Sequence, residues 1–65
     1  MSVIINGKEE DAAGMSLLEF MGKKNINSGK VVVEVNENII QPDNYAELIL
    51  NNGDKVEINQ FVGGG

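Results

Sequence analysis

The sequence predicts an α+β fold: a mixed β-sheet with one helix packed across one face, in the order ββαββ, ending in a short glycine tail. Period-two alternation opens the chain at residues 1–5, recurs at 31–36 and closes it at 55–62, the pattern of half-buried strands. One stretch, beginning at Ser16, carries both a capping signal and the three- and four-residue apolar spacing of a helix. Such a helix has one apolar stripe and a sheet must bury one face, so the two pack as layers.

In residues 1–5, Met1, Val3 and Ile5 alternate with Ser2 and Ile4. Asn6-Gly7 follows, and both residues tolerate the positive φ of a type I′ hairpin turn. A second strand is expected over 8–12. Its Glu9-Glu10-Asp11 run supplies the carboxylates that acid–base chemistry or a hard metal would use. On an extended segment, however, successive side chains face opposite ways, so the run reads as a solvated edge.

In residues 14–21, Ser16 and Glu19 are spaced as a capping box and Met15 can staple against Phe20. Leu17, Leu18 and Met21 make the expected apolar stripe. Lys23 and Lys24 fall in the last turn, where the helix dipole favours cations. Residues 25–30, with Ser28-Gly29, form a loop.

Val31, Val33 and Val35 share the face under the helix, with Val32 and Glu34 on the other. Asn36-Glu37-Asn38 turns the chain into Ile39-Ile40. Pro42 excludes a long central strand, so 41–45 is an irregular crossing with a short helical turn. Tyr45 is a packing residue with its hydroxyl at the surface. A short apolar piece at 47–50 and a tight turn at Asn52-Gly53-Asp54 lead into the last strand. There Val56 and Ile58 point inward, and Glu57, Asn59 and Phe61 outward. The first and last strands are expected side by side and parallel, because the chain between them supplies the long crossover that parallel neighbours need.

Composition narrows the function. Sixty-five residues make one domain with little room for a buried active-site cleft. Cysteine and histidine are both absent, which removes thiol nucleophiles, thiolate metal sites and the commonest general base. The expected class is therefore not an enzyme. Ten acidic residues face five lysines and no arginine, so nucleic acid is an improbable partner and basic protein surfaces are favoured. No apolar run suits a signal peptide or membrane span, and Ser2 excludes myristoylation, so a soluble cytoplasmic protein is expected.

The final residues, Gln60-Phe61-Val62-Gly63-Gly64-Gly65, concentrate what chemistry remains. A glycine run cannot pack and costs entropy to order. It suits a narrow channel, reaching roughly 10 Å at 3.3–3.6 Å per residue. The Gly65 carboxylate is an anion at neutral pH and needs another protein to activate it. A frayed chain end is the ordinary alternative.

The short length, the strand order, Gly53-Asp54-Lys55-Val56-Glu57-Ile58 and the ending Phe61-Val62-Gly63-Gly64-Gly65 together resemble the ubiquitin-like β-grasp sulfur carriers of the MoaD and ThiS superfamily. Over all of residues 1–65 the resemblance is closest to the ThiS proteins of thiamine (thiazole) biosynthesis. It implies a β-grasp domain over 1–62 and a flexible glycine tail over 63–65. It further implies that Gly65 is adenylated with ATP and magnesium by a ThiF-type adenylyltransferase. Sulfur from a donor such as a cysteine desulfurase then converts Gly65 to a thiocarboxylate, which serves a ThiG-type thiazole synthase. The carrier itself would hold no catalytic residue, metal or cofactor. Gly64 and Gly63 would thread the activating channel, Gly63 being one more glycine than the family's essential pair. Ile4, Val32, Phe61 and Val62 are the expected apolar partner surface. The small subunit of a molybdopterin synthase uses the same thiocarboxylate, although such chains are usually longer. A protein modifier joined through Gly65 to target lysines begins from the same activation, and an interaction module with an inert tail needs none.

Overall fold

A computed structural model describes residues 2–61. Within them the chain forms β1 (Val3–Ile5), β2 (Lys8–Glu10), α1 (Leu17–Lys23), β3 (Val31–Val35), β4 (Asn38–Ile40) and β5 (Lys55–Gln60). Two 3-10 turns, Ser28–Lys30 and Pro42–Asn44, lie between them. The strands make a single mixed sheet in the order β2-β1-β5-β3-β4.

The expected parallel pair lies in the middle, with Ile4 beside Lys55 and Ile5 beside Val56. On its other side β5 runs antiparallel to β3, from Val31 opposite Gln60 to Val35 opposite Val56. The Asn6-Gly7 turn has the left-handed backbone that its residues predict, φ 49° and 82°. It folds β2 back onto β1, with Ile5 opposite Lys8.

The turn at 36–38 leads into Asn38–Ile40, one of three strands after the helix, paired with β3 through Val35 opposite Asn38 and Val33 opposite Ile40. Its turn places Asn36 and Glu37 at φ 51° and 72°. Glutamate is an uncommon occupant of that region, which costs a side chain roughly 1–2 kcal/mol. The second strand is shorter than 8–12, because the chain bends at Asp11 and turns Ala12 into the core.

Ser16 Oγ accepts the Glu19 N–H at 3.0 Å, which is the N-cap half of the expected box. Asn25, at φ 58°, ends the helix. The Ile26 N–H donates to Met21 C=O at 2.9 Å and the Asn25 N–H to Gly22 C=O at 3.2 Å, the bond pattern of a Schellman motif. The buried stripe is Leu17, Phe20 and Met21, whereas Leu18 is 42 % exposed. At 100° per residue, Phe20 and Met21 return to the face of Leu17 and Leu18 lies well round from it.

The core is built from that stripe, from Val3, Ile5, Val31, Val33, Val35, Val56 and Ile58 of the sheet, and from Ala12, Tyr45 and Leu50 of the connections. No polar or charged residue among the described residues is buried with them. The apolar piece at 47–50 is held along the entry to the helix. The Leu50 N–H donates to Met15 C=O and the Leu17 N–H to Leu48 C=O, both at 2.9 Å. At the start of β5, Gly53 takes φ 89° and Asp54 accepts the Asn51 N–H at 2.8 Å. Asn36 then donates to Asp54 at 3.1 Å and accepts the Lys55 N–H at 3.0 Å, which ties this turn to the β3–β4 hairpin.

Candidate functional site at the exit of the central strand

The candidate site is the end of β5, where the chain leaves the sheet. β5 ends at Gln60, two residues short of the expected 62. Phe61 continues the β3 side of the ladder by one bond, its N–H donating to Lys30 C=O at 3.2 Å. Val62, Gly63, Gly64 and Gly65, all assigned roles by the sequence, lie outside the described residues.

The register decides which of the other expected surface residues meet. Val32 is opposite Asn59, two residues before Phe61, so Val32 and Phe61 share the exit end of the sheet's open face. They are 41 % and 50 % exposed. Ile4 is half-buried on the same face but at the other end of β5, between Glu9 and Lys55. Glu57 and Asn59 lie along β5 between the two ends.

On the helix side of the exit lies a cleft of about 320 Å³, lined by Ile5, Asn6, Phe20, Lys24, Ile58 and Gln60 among others. Lys24 closes one rim, with its Nζ 3.1 Å from Glu10 Oε1 and 5.9 Å from the centre of the Phe20 ring. Lys24 is thereby engaged within the fold as well as placed near the helix C-terminus. Glu9 and Glu10 separate as expected: Glu9 accepts the Ser2 hydroxyl at 2.9 Å, whereas Glu10 turns to Lys24. Among the described residues no three acids converge as a metal site would require.

One contact at this exit has no counterpart in the sequence reading. Asn6 Oδ1 accepts the Ile58 N–H at 2.8 Å and Asn6 Nδ2 donates to Ile58 C=O at 3.0 Å. The only sequence signal for it is the choice of Asn where Gly or Asp would serve the turn equally well. Away from the exit, burial raises the Tyr45 hydroxyl above its ordinary pKa of 10.0. The ionisable side chains lining the cleft are Glu10 and Lys24, and they are paired with each other.

The profile of the ThiS family matches residues 3–65, which is nearly the whole chain and runs through the last glycine. The chain belongs to the ThiS family. A crystal structure of the thiamine biosynthesis protein ThiS from Geobacter metallireducens superimposes with a TM-score of 0.83 at 26 % identity, covering all of both chains. A solution structure of a thiamine biosynthesis protein from the same organism gives a TM-score of 0.76 at 26 % identity, over all of this chain and 88 % of that one. The ubiquitin-like β-grasp expectation is therefore met in the fold and in its ThiS neighbours.

Among curated proteins, a thiazole synthase of Paramagnetospirillum magneticum is 41 % identical over 66 residues, covering all of this chain but only 20 % of that protein. The chain thus spans about one fifth of that relative's length. An uncharacterized protein of Trieres chinensis is 34 % identical over 62 residues, covering 94 % of this chain and 85 % of that one. Among the described residues no helix is long and apolar enough to cross a membrane.

Proposed function

We propose that this ThiS-family chain is a sulfur carrier of thiamine (thiazole) biosynthesis, a protein co-substrate rather than a catalyst, whose working group is the Gly65 carboxylate. The observation that carries this reading is the family match extending through Gly65, on a domain that lacks cysteine and histidine. The reading takes Gly65 as a free carboxyl end.

A ThiF-type adenylyltransferase joins that carboxylate to the α-phosphate of ATP, with magnesium on the enzyme, and pyrophosphate leaves. The acyl carbon is then electrophilic, because AMP is a far better leaving group than oxide. Sulfide attacks that carbon and AMP departs; where the donor is a cysteine desulfurase, the outer sulfur of its persulfide attacks instead, and a thiol reductant then cleaves the resulting acyl disulfide to release the thiocarboxylate. The resulting thiocarboxylate passes its sulfur to a ThiG-type thiazole synthase. Gly63 and Gly64 form the thread that crosses the activating channel, and no side chain there can obstruct it. Val32 and Phe61, with Val62 following, form the apolar contact nearest the thread, and Ile4 contributes a separate contact at the far end of the same face. No cofactor resides on the carrier. Use of ATP argues for the cytoplasm. The thiazole synthase relative, which includes a stretch like this chain within a longer protein, supports the choice of partner.

The test is an intact-mass measurement after incubation with ATP, magnesium, a ThiF-type enzyme and sulfide. Replacement of one oxygen by sulfur at Gly65 is expected. A ladder of conjugates would favour the protein-modifier reading instead. An unchanged mass together with no ATP–pyrophosphate exchange would overturn activation altogether and leave the inert module. If the thiocarboxylate forms but is consumed by a molybdopterin synthase large subunit rather than by a ThiG-type enzyme, the assignment moves to that pathway.

A further inference from the structure

We infer that Asn6 is a positioning residue for the C-terminal segment: its carboxamide stands in for a missing strand beside the last half of β5 and fixes the direction in which the chain leaves the sheet. This inference rests on the activation of Gly65 proposed above and adds the residue that aims it.

β1 ends at Ile5, yet β5 runs on to Gln60. The turn at Asn6 and Gly7 carries the backbone away into β2. The last backbone bond on that side of β5 is the Asn6 N–H donating to Val56 C=O at 2.8 Å. The next polar pair facing the same way belongs to Ile58, and the Asn6 side chain meets both halves of it, at 2.8 and 3.0 Å. A primary amide holds a donor and an acceptor in nearly the arrangement of a peptide group, so it can replace one rung of a ladder. Position 6 must also adopt φ 49°. Asparagine meets both demands, whereas glycine meets only the turn and aspartate lacks the donor.

On the other edge of β5 the last tie is Phe61 to Lys30. The two ties, one on each side, set the orientation of residues 58–61. Without the Asn6 tie this segment is held from the β3 side alone and can hinge about it. A channel that admits only an extended glycine thread then meets fewer productive orientations. The loss falls on capture by the activating enzyme, not on the chemical step once the thread is seated.

Asn6→Gly removes the carboxamide while keeping the left-handed turn, and Asn6→Asp keeps the turn and the acceptor alone. In Asn6→Gly the Ile58 amide should exchange with solvent about tenfold faster while Val33 is unchanged, as loss of a local tie requires. Residual dipolar couplings at the Phe61 amide should shrink through averaging. With a ThiF-type enzyme, KM for the carrier should rise about tenfold and kcat should stay within about twofold. Asn6→Asp should fall between. Unchanged Ile58 protection in Asn6→Gly, or an unchanged KM in a variant whose Ile58 amide is deprotected, overturns the inference. If the unsubstituted chain is not adenylated at all, the activation reading fails separately, and unchanged Phe61 couplings would then overturn the role of Asn6.

Discussion

Leu50 lies outside every strand and helix, yet it is 0 % exposed, and replacing it with alanine should remove a large share of the domain's stability. The substitution removes three buried carbons, worth about 0.8 kcal/mol each in transfer alone. The cavity left behind raises the total to roughly 3–5 kcal/mol. A domain of 65 residues has on the order of 3–10 kcal/mol to lose. From about a third to all of its stability therefore depends on one leucine in a connection. The same leucine also fixes a backbone clasp, since its N–H donates to Met15 C=O and its C=O accepts the Gly14 N–H at 2.8 Å. Loosening the side chain should free the entry to the helix as well. Urea denaturation of Leu50→Ala should show a much lower midpoint, and its Tm should fall by roughly 12–40 °C at the usual 4–8 °C per kcal/mol. Ile39→Ala is the control: Ile39 is 64 % exposed and its loss should cost within about 0.5 kcal/mol. A Leu50→Ala protein that melts within about 5 °C of the unsubstituted chain would refute a core that includes residues 45–50.

Gly53→Ala should cost about 1–2 kcal/mol from backbone conformation alone, because a methyl group there meets no atom within 4 Å. Gly53→Asn should recover much of that loss in thermal melts. Ser16→Ala should remove about 1 kcal/mol with the N-cap bond, seen as a Tm drop of several degrees. Glu10→Gln should change stability by at most about 1 kcal/mol at low salt and by less at high salt, since the Lys24 pair is only partly shielded. Tyr45 gives a pH dependence in the alkaline range. Burial raises its folded pKa, so the folded state keeps its proton longer than the unfolded state does. Its stabilising contribution is complete below the unfolded value near 10 and is lost as pH rises through the raised one. Because Tyr45 is the only tyrosine, tyrosinate absorbance should report this directly, and Tyr45→Phe should flatten the alkaline limb of the stability curve.

Features written in local chemistry were legible in the sequence. Asn6-Gly7 names its turn, Ser16 and Glu19 mark the helix start, and alternation at both ends of the chain finds the two middle strands. Features that depend on competition between faces or on distant partners were not. Leu18 fits a three- and four-residue spacing as well as Phe20 does, and only the sheet beneath decides which is buried. The turn at 36–38 was legible, but nothing in Glu37 announces its positive φ, which is tolerated for its neighbours' sake. The 47–50 piece carries no periodicity long enough to reveal that Leu50 completes the core. At the candidate site, the absence of reactive side chains pointed to the terminus. The bonds between Asn6 and Ile58, 52 positions apart, leave no pattern for spacing analysis to find.

Of the five strands described, the one at the heart of the sheet is the last to be made. Until Lys55–Gln60 leave the ribosome, the β1–β2 and β3–β4 hairpins have no strand between them to join. Isolated two-stranded hairpins are marginal in water, so the nascent chain should gain little lasting structure before that moment. A message broken anywhere upstream yields a product lacking both its middle strand and its glycines. Synthesis order thus keeps the two hairpins apart until their shared strand is made, and a chain stopped short of it is left with unpaired strand edges.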